Sequence, residues 1–192
     1  LLAMTLAFSA VCAAVGMAVG ISPGLAIGMK IVALVMLFFT HKAARSAWGI
    51  GFVFAFTGLL GGSLGWTLNA YAGLSNGPEL IMQAFGATAV VFFGLSGYVL
   101  TTKKDFSFLK SILVIGFAIA IGLIIAGALF GFNLGLWFSV AMCALAAGAI
   151  LYQTSNLVHK YSNDQYVPAA IGLFAALMLL FWYVLQIFLS RD

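Results

Sequence analysis

The sequence predicts an all-α integral membrane protein, a bundle of seven transmembrane helices, and three observations carry that reading. Seven apolar stretches follow one another along the 192 residues. Hydrophobic residues make up 65% of the chain and charged residues 6%, against roughly 25% charged in an average soluble protein, which leaves too little polar surface to face water. Lys and Arg fall almost entirely on alternate connecting loops.

Each span needs about 20 apolar residues to cross roughly 30 Å of hydrocarbon. The first, residues 1–19, opens directly inside an apolar run without Met and without a basic start. It therefore reads as a retained span rather than a cleaved secretory signal, and a natural amino-terminal segment is expected upstream of Leu1. The second, residues 24–40, follows the turn Ser22-Pro23-Gly24 and carries Lys30 near its end, where the ammonium can snorkel to the headgroups. The third, residues 47–70, holds Gly58 and Gly62, and Gly61 and Gly65, in pairs four apart, so that a neighbouring backbone can approach one face closely.

The fourth span, residues 80–101, follows Ser75-Asn76-Gly77-Pro78, and the fifth covers residues 108–130. The sixth, residues 134–157, follows Gly131-Phe132-Asn133 and ends in a polar cluster of Gln153, Thr154, Ser155 and Asn156, read either as interhelical hydrogen bonds or as the lining of a polar cavity. The seventh, residues 166–189, follows Ser162-Asn163-Asp164. All seven belong to a single transmembrane domain, residues 1–192.

Orientation follows from the loops. Lys42 and Arg45 lie between spans two and three, Lys103, Lys104 and Lys110 flank the turn between four and five, and Lys160 lies between six and seven; only Arg191 breaks the pattern. By the positive-inside rule those loops are cytoplasmic, which puts the amino end in the cytoplasm and the carboxyl end in the periplasm. The net charge of +4 thus serves membrane orientation, not nucleic acid.

Catalytic and metal chemistry find little to work with. Gly61-Gly62-Ser63-Leu64-Gly65 matches a nucleophile elbow by letter, but that motif needs a strand, a turn and a helix, and here it lies inside one apolar helix. The two histidines, His41 and His159, fall at the cytoplasmic ends of their spans, on the order of 20 Å from Ser63 at 1.5 Å per residue. Cys12 and Cys143 sit singly within apolar spans, and with two unclustered histidines they do not make a zinc site. No catalytic residue, cofactor or metal ligand is expected, and no chain of buried acids is present for a proton relay.

Three stretches carry a family resemblance. They are Gly51-Phe52-Val53-Phe54-Ala55-Phe56-Thr57-Gly58-Leu59-Leu60-Gly61, then Thr101-Thr102-Lys103-Lys104-Asp105-Phe106-Ser107-Phe108-Leu109 with the run before it from residue 90, and Gly148-Ala149-Ile150-Leu151-Tyr152-Gln153-Thr154-Ser155-Asn156-Leu157-Val158-His159. Together with the Ser190-Arg191-Asp192 ending, they resemble the bacterial inner-membrane members of the Bax inhibitor family over nearly the whole chain. That resemblance implies a seven-helix bundle with the carboxyl-terminal helix central. It implies a non-enzymatic modulator, and slow substrate, of the membrane-anchored ATP-dependent protease FtsH and its HflK and HflC partners, engaged through a cytoplasmic amino-terminal tail. Lys103, Lys104 and Asp105 are the candidate partner contacts. Other bacterial members are calcium leak channels gated by two paired Asp, one in the sixth helix and one in the seventh. Here the first position falls on Gln153 and the second near Ala176 or Leu177, neither of which ionises, so a passive cation leak is the alternative function.

Overall fold

The computed structural model describes residues 1–43, 48–131, 133–161 and 165–190, with the side chains of the second helix described as far as Met36. Arg45, Phe132, Ser162, Asn163, Asp164, Arg191 and Asp192 lie outside the described residues, as do the side chains of His41 and Lys42. The described residues form α-helices and no strand: α1 (Leu2–Val19), α2 (Pro23–Ala43), α3 (Trp48–Ala72), α4 (Gly77–Thr102), α5 (Leu109–Phe130), α6 (Gly135–His159) and α7 (Tyr166–Leu189). Six of them are long and apolar enough to cross a membrane, while the apolar part of α2 whose side chains are described, Pro23–Met36, is shorter.

Local chemistry sets the helix ends. After α1 the chain turns at Gly20, whose φ of 67° costs glycine nothing. The Gly20 and Ile21 N–H groups donate back to the Met17 and Gly16 carbonyls, a Schellman closure of α1. Two residues on, the Ser22 hydroxyl accepts the Leu25 N–H at 3.4 Å and Pro23 takes the first position of α2. All three prolines of the chain, Pro23, Pro78 and Pro168, fall in the first turn of a helix, where a missing N–H leaves no helical bond unmade. Glu79 beside Pro78 adds a negative charge at the positive end of α4.

Two compact units can be distinguished. The first comprises Leu1–Ile81 and Tyr161–Phe174, the second Met82–Lys160 and Ala175–Asp192.

In the first unit α1 is built inside out relative to a helix of a soluble protein. Its buried stripe is Thr5, Ser9, Ala13 and Gly16, small and partly hydroxylated, whereas Met4, Val11, Val15 and Val19 are 55–73% exposed. In water that exposure would be a large apolar patch; against lipid tails it is the favourable arrangement. The small stripe lies on α3, and Phe8 meets Phe54 edge to face at 5.3 Å between centroids. Phe56 meets Phe174 in the same manner at 6.1 Å.

In the second unit α5 follows the same logic further. It buries only Leu113 and Ala120, one heptad apart, and exposes Ile112, Ile115, Ile119 and Leu129. It meets α6 where Leu145 lies on Gly116 and Leu113 lies on Gly148. Phe85 packs edge to face with Phe181, and Phe138 with Tyr183.

Candidate functional site

The three groups of residues singled out from the sequence occupy two places. Gly58, Gly61, Gly62 and Gly65 lie in the first unit and form the seat of α1 and α2 on α3. A Cβ added at Gly61 would strike the Ser9 carbonyl, and one at Gly65 would lie 2.6 Å from the Gly16 carbonyl carbon. At Gly58 the neighbour is the Phe8 ring, 2.7 Å away. Gly62 differs from the other three, since the Met29 methyl of α2 covers it at 2.6 Å. Helical geometry accounts for this, because the four glycines span an arc of about 100° on α3, wide enough to face two neighbours. Ser63, within the same run, is buried and donates its hydroxyl to the Leu60 carbonyl at 2.7 Å.

The other two groups, Lys103, Lys104 and Asp105 on a loop and Gln153, Ser155 and Asn156 on α6, come together in the second unit. The loop begins where α4 ends. Lys103 has φ 50°, the one described non-glycine residue with positive φ, and its N–H still donates to the Val99 carbonyl at 2.8 Å. Thr101 and Thr102 donate their hydroxyls back to the Gly97 and Tyr98 carbonyls, four residues earlier on the same helix. The Asp105 carboxylate then accepts both the N–H and the hydroxyl of Ser107, at 2.8 and 2.6 Å, which folds residues 105–107 into an Asx turn. Those two hydrogen bonds, first the hydroxyl and then the N–H, lower the Asp105 pKa below its ordinary value, and the charges of His159 and Lys160 act in the same direction.

Ser155 joins this loop to α6. Its buried hydroxyl accepts the Phe106 N–H at 2.9 Å and has the Lys104 carbonyl and an Asp105 carboxylate oxygen each 3.5 Å away. A hydroxyl has one proton, so it donates to only one of those two at a time. One turn further along α6, His159 Nδ1 lies 3.0 Å from the Ser155 carbonyl oxygen. Thr154, buried on the next face, is 3.3 Å from the Ser96 hydroxyl of α4. Gln153 Oε1 and Asn156 Oδ1 are buried with no hydrogen-bond partner among the described residues. The polar end of α6 thus does two jobs: Thr154 and Ser155 hold α4 and the loop, while Gln153 and Asn156 present two unused acceptors.

Aromatic rings and cations surround this junction. Lys104 Nζ lies 5.9 Å from the centre of the Tyr98 ring, and Lys160 Nζ lies 5.6 Å from that of Tyr152. Tyr98 and Phe106 are 6.3 Å apart, and Phe106 and Phe108 6.2 Å. Tyr98, Ser96 and Ser107 were not among the candidates read from the sequence; the Asp-x-Ser spacing of an Asx turn was the one signal available for Ser107. At the other end of α6, Phe138, Ser139, Trp182, Tyr183 and Gln186 line an open cleft of about 340 Å³. Among the described residues no group of three or more His, Cys, Asp or Glu is placed to hold a metal ion.

Known proteins of similar sequence were found along the whole chain. Residues 1–192 match the family model described as inhibitor of apoptosis-promoting Bax1. An uncharacterized protein of Pseudomonas aeruginosa is 42% identical over 189 residues, 98% of this chain and 85% of that relative. The Escherichia coli protein named modulator of FtsH protease YccA, also named inner membrane protein YccA, is 39% identical over 195 residues, all of this chain and 88% of the relative. A Golgi anti-apoptotic protein of vaccinia virus is 37% identical over 114 residues, 57% of this chain and 46% of its own length. The functional names among these relatives describe a modulator and anti-apoptotic proteins rather than enzymes.

Proposed function

This chain belongs to the Bax inhibitor family, and from that premise we propose that it is a non-enzymatic modulator, and slow substrate, of the ATP-dependent membrane protease FtsH, restraining the degradation of other membrane proteins. The observation that carries the reading is full-length similarity, at 39% identity, to the Escherichia coli protein named for that role. HflK and HflC enter as accessory partners of the protease. The chain works as one multi-pass domain of the bacterial inner membrane, seven spans of which six surround a central α7, with the amino end cytoplasmic and the carboxyl end periplasmic. The alternate placement of lysines on loops supports that orientation.

The loop residues Lys103, Lys104 and Asp105 form the contact surface, since the Ser155 and Ser107 hydrogen bonds hold their backbone in one conformation and leave their side chains exposed. A contact surface ordered before binding does not spend binding energy on ordering itself. Affinity purification from native membranes in mild detergent tests the reading: FtsH is expected in the eluate, and its repeated absence together with that of HflK and HflC counts against it.

One observation favours a second reading, a passive cation leak. Gln153 and Asn156 offer two buried acceptor oxygens without partners among the described residues. They are neutral, and so hold a divalent ion far less strongly than a carboxylate pair would. Calcium flux into liposomes equal to that of empty vesicles removes this alternative.

A further inference from the structure

Three helix ends of the second unit converge on the Ser155 junction, and each brings a cation. Lys103 and Lys104 follow α4, Lys110 lies in the first turn of α5, and Lys160 follows α6. Among the described residues, four ammonium groups share this end with one carboxylate, Asp105, whose oxygen Oδ1 already takes the N–H and hydroxyl of Ser107. Lys103 and Lys160 follow helix carboxyl ends, where the macrodipole favours a positive charge. Lys110 does not: it stands at the positive end of α5, whose first turn holds no acidic residue. Its charge therefore adds to the potential an incoming anion meets rather than offsetting the helix dipole.

The aromatic side chains set the depth of this patch. Tyr98 is 45% exposed, and an amphipathic ring so placed near a membrane helix end favours headgroup level. The alkyl stems of Lys104 and Lys160 bring their ammonium groups to within 6 Å of tyrosine rings. This draws two charges back toward the helices instead of extending them into bulk water.

We propose that this end of the second unit, through Lys103, Lys104, Lys110 and Lys160, binds the phosphate of an anionic phospholipid headgroup. The inference shares Lys103 and Lys104 with the protease reading but does not depend on it, because lipid retention is measured on the purified chain without the protease. The full chain is purified in neutral detergent and offered equal amounts of phosphatidylglycerol and phosphatidylcholine with the same acyl chains, and the lipid retained is identified by native mass spectrometry. Phosphatidylglycerol is expected to be retained preferentially, with the preference falling as salt is raised. Each Lys→Gln change is expected to weaken retention roughly five-fold, the equivalent of about 1 kcal/mol per basic residue at a membrane surface. Equal retention of the two lipids by the unmodified protein overturns the proposal, as does a preference that survives in the fourfold Lys→Gln variant. Should that variant not fold, Lys104→Gln and Lys160→Gln are measured singly beside the salt series on the unmodified protein, and a preference unchanged in both and insensitive to salt overturns the proposal equally. Loss of FtsH from a parallel co-purification with lipid retention unchanged would assign the patch to a protein partner and also overturn the proposal.

Discussion

Replacing Gly65 by Ala is expected to loosen the seat of α1 on α3 by an amount the geometry sets. The new Cβ would lie 2.6 Å from the Gly16 carbonyl carbon, 2.7 Å from its Cα and 2.7 Å from the Met17 nitrogen, all backbone atoms. Carbon atoms rest at about 3.5–4.0 Å, so α1 must retreat by roughly 1 Å. No side chain can swing aside to absorb that. Overpacking of this kind costs about 1–3 kcal/mol, and a contact made wholly of backbone belongs near the top of that range. Alanine returns up to about 1 kcal/mol as a better helix former. The net expectation is about 2 kcal/mol of destabilisation, roughly a 30-fold fall in the folded to unfolded ratio and about 4–8 °C in Tm for a chain of this size. Thermal unfolding of the detergent-solubilised protein, followed by tryptophan fluorescence, measures it. Gly86→Ala is the control, since that glycine on α4 has open space where its Cβ would be. If Gly65→Ala unfolds at or above the temperature of the unmodified protein, the close approach of α1 and α3 is wrong.

Three further outcomes are expected. Gly62→Ala should be milder than Gly65→Ala, because what it meets is the flexible end of Met29, and an equal loss in the same thermal scan would contradict this. Ser155→Ala should leave the Phe106 N–H without its acceptor, cost about 1–3 kcal/mol where water cannot replace it, and open the loop to trypsin after Lys103 and Lys104; an unchanged digestion rate would refute the tether. The Asp105 carboxyl should titrate with a midpoint below 3.8, as followed by carbon NMR, and Ser107→Ala should raise that midpoint. Because its pKa is lowered in the folded chain, its contribution to loop order is full above the unfolded value and is lost as pH falls through the folded one.

The helical class was readable from apolar runs, because a bilayer demands long apolar segments whatever their partners. Turn residues marked the ends well where capping chemistry is local. Gly20, which closes α1, escaped notice because Ser22-Pro23 just beyond it carries the louder signal. The glycine face of α3 was visible as a spacing, but its division between α1 for Gly61 and Gly65 and α2 for Gly62 was not, since a spacing names a face and not its neighbours. The junction at Ser155 was hidden for another reason. The loop and the polar end of α6 read as two separate clusters, and the bond from Phe106 to Ser155 spans 49 residues, a separation at which local pattern carries no information.

That separation gives the loop a history during synthesis. When Phe106 leaves the ribosome its acceptor has not yet been made, and at about 5–20 residues per second the 49 residues to Ser155 take roughly 2–10 s. For that interval the turn between α4 and α5 has only its own Asx turn and helix end to shape it. The junction is therefore finished only after α5 and most of α6 have been translated, so the loop takes its last hydrogen bond from a helix made two spans later.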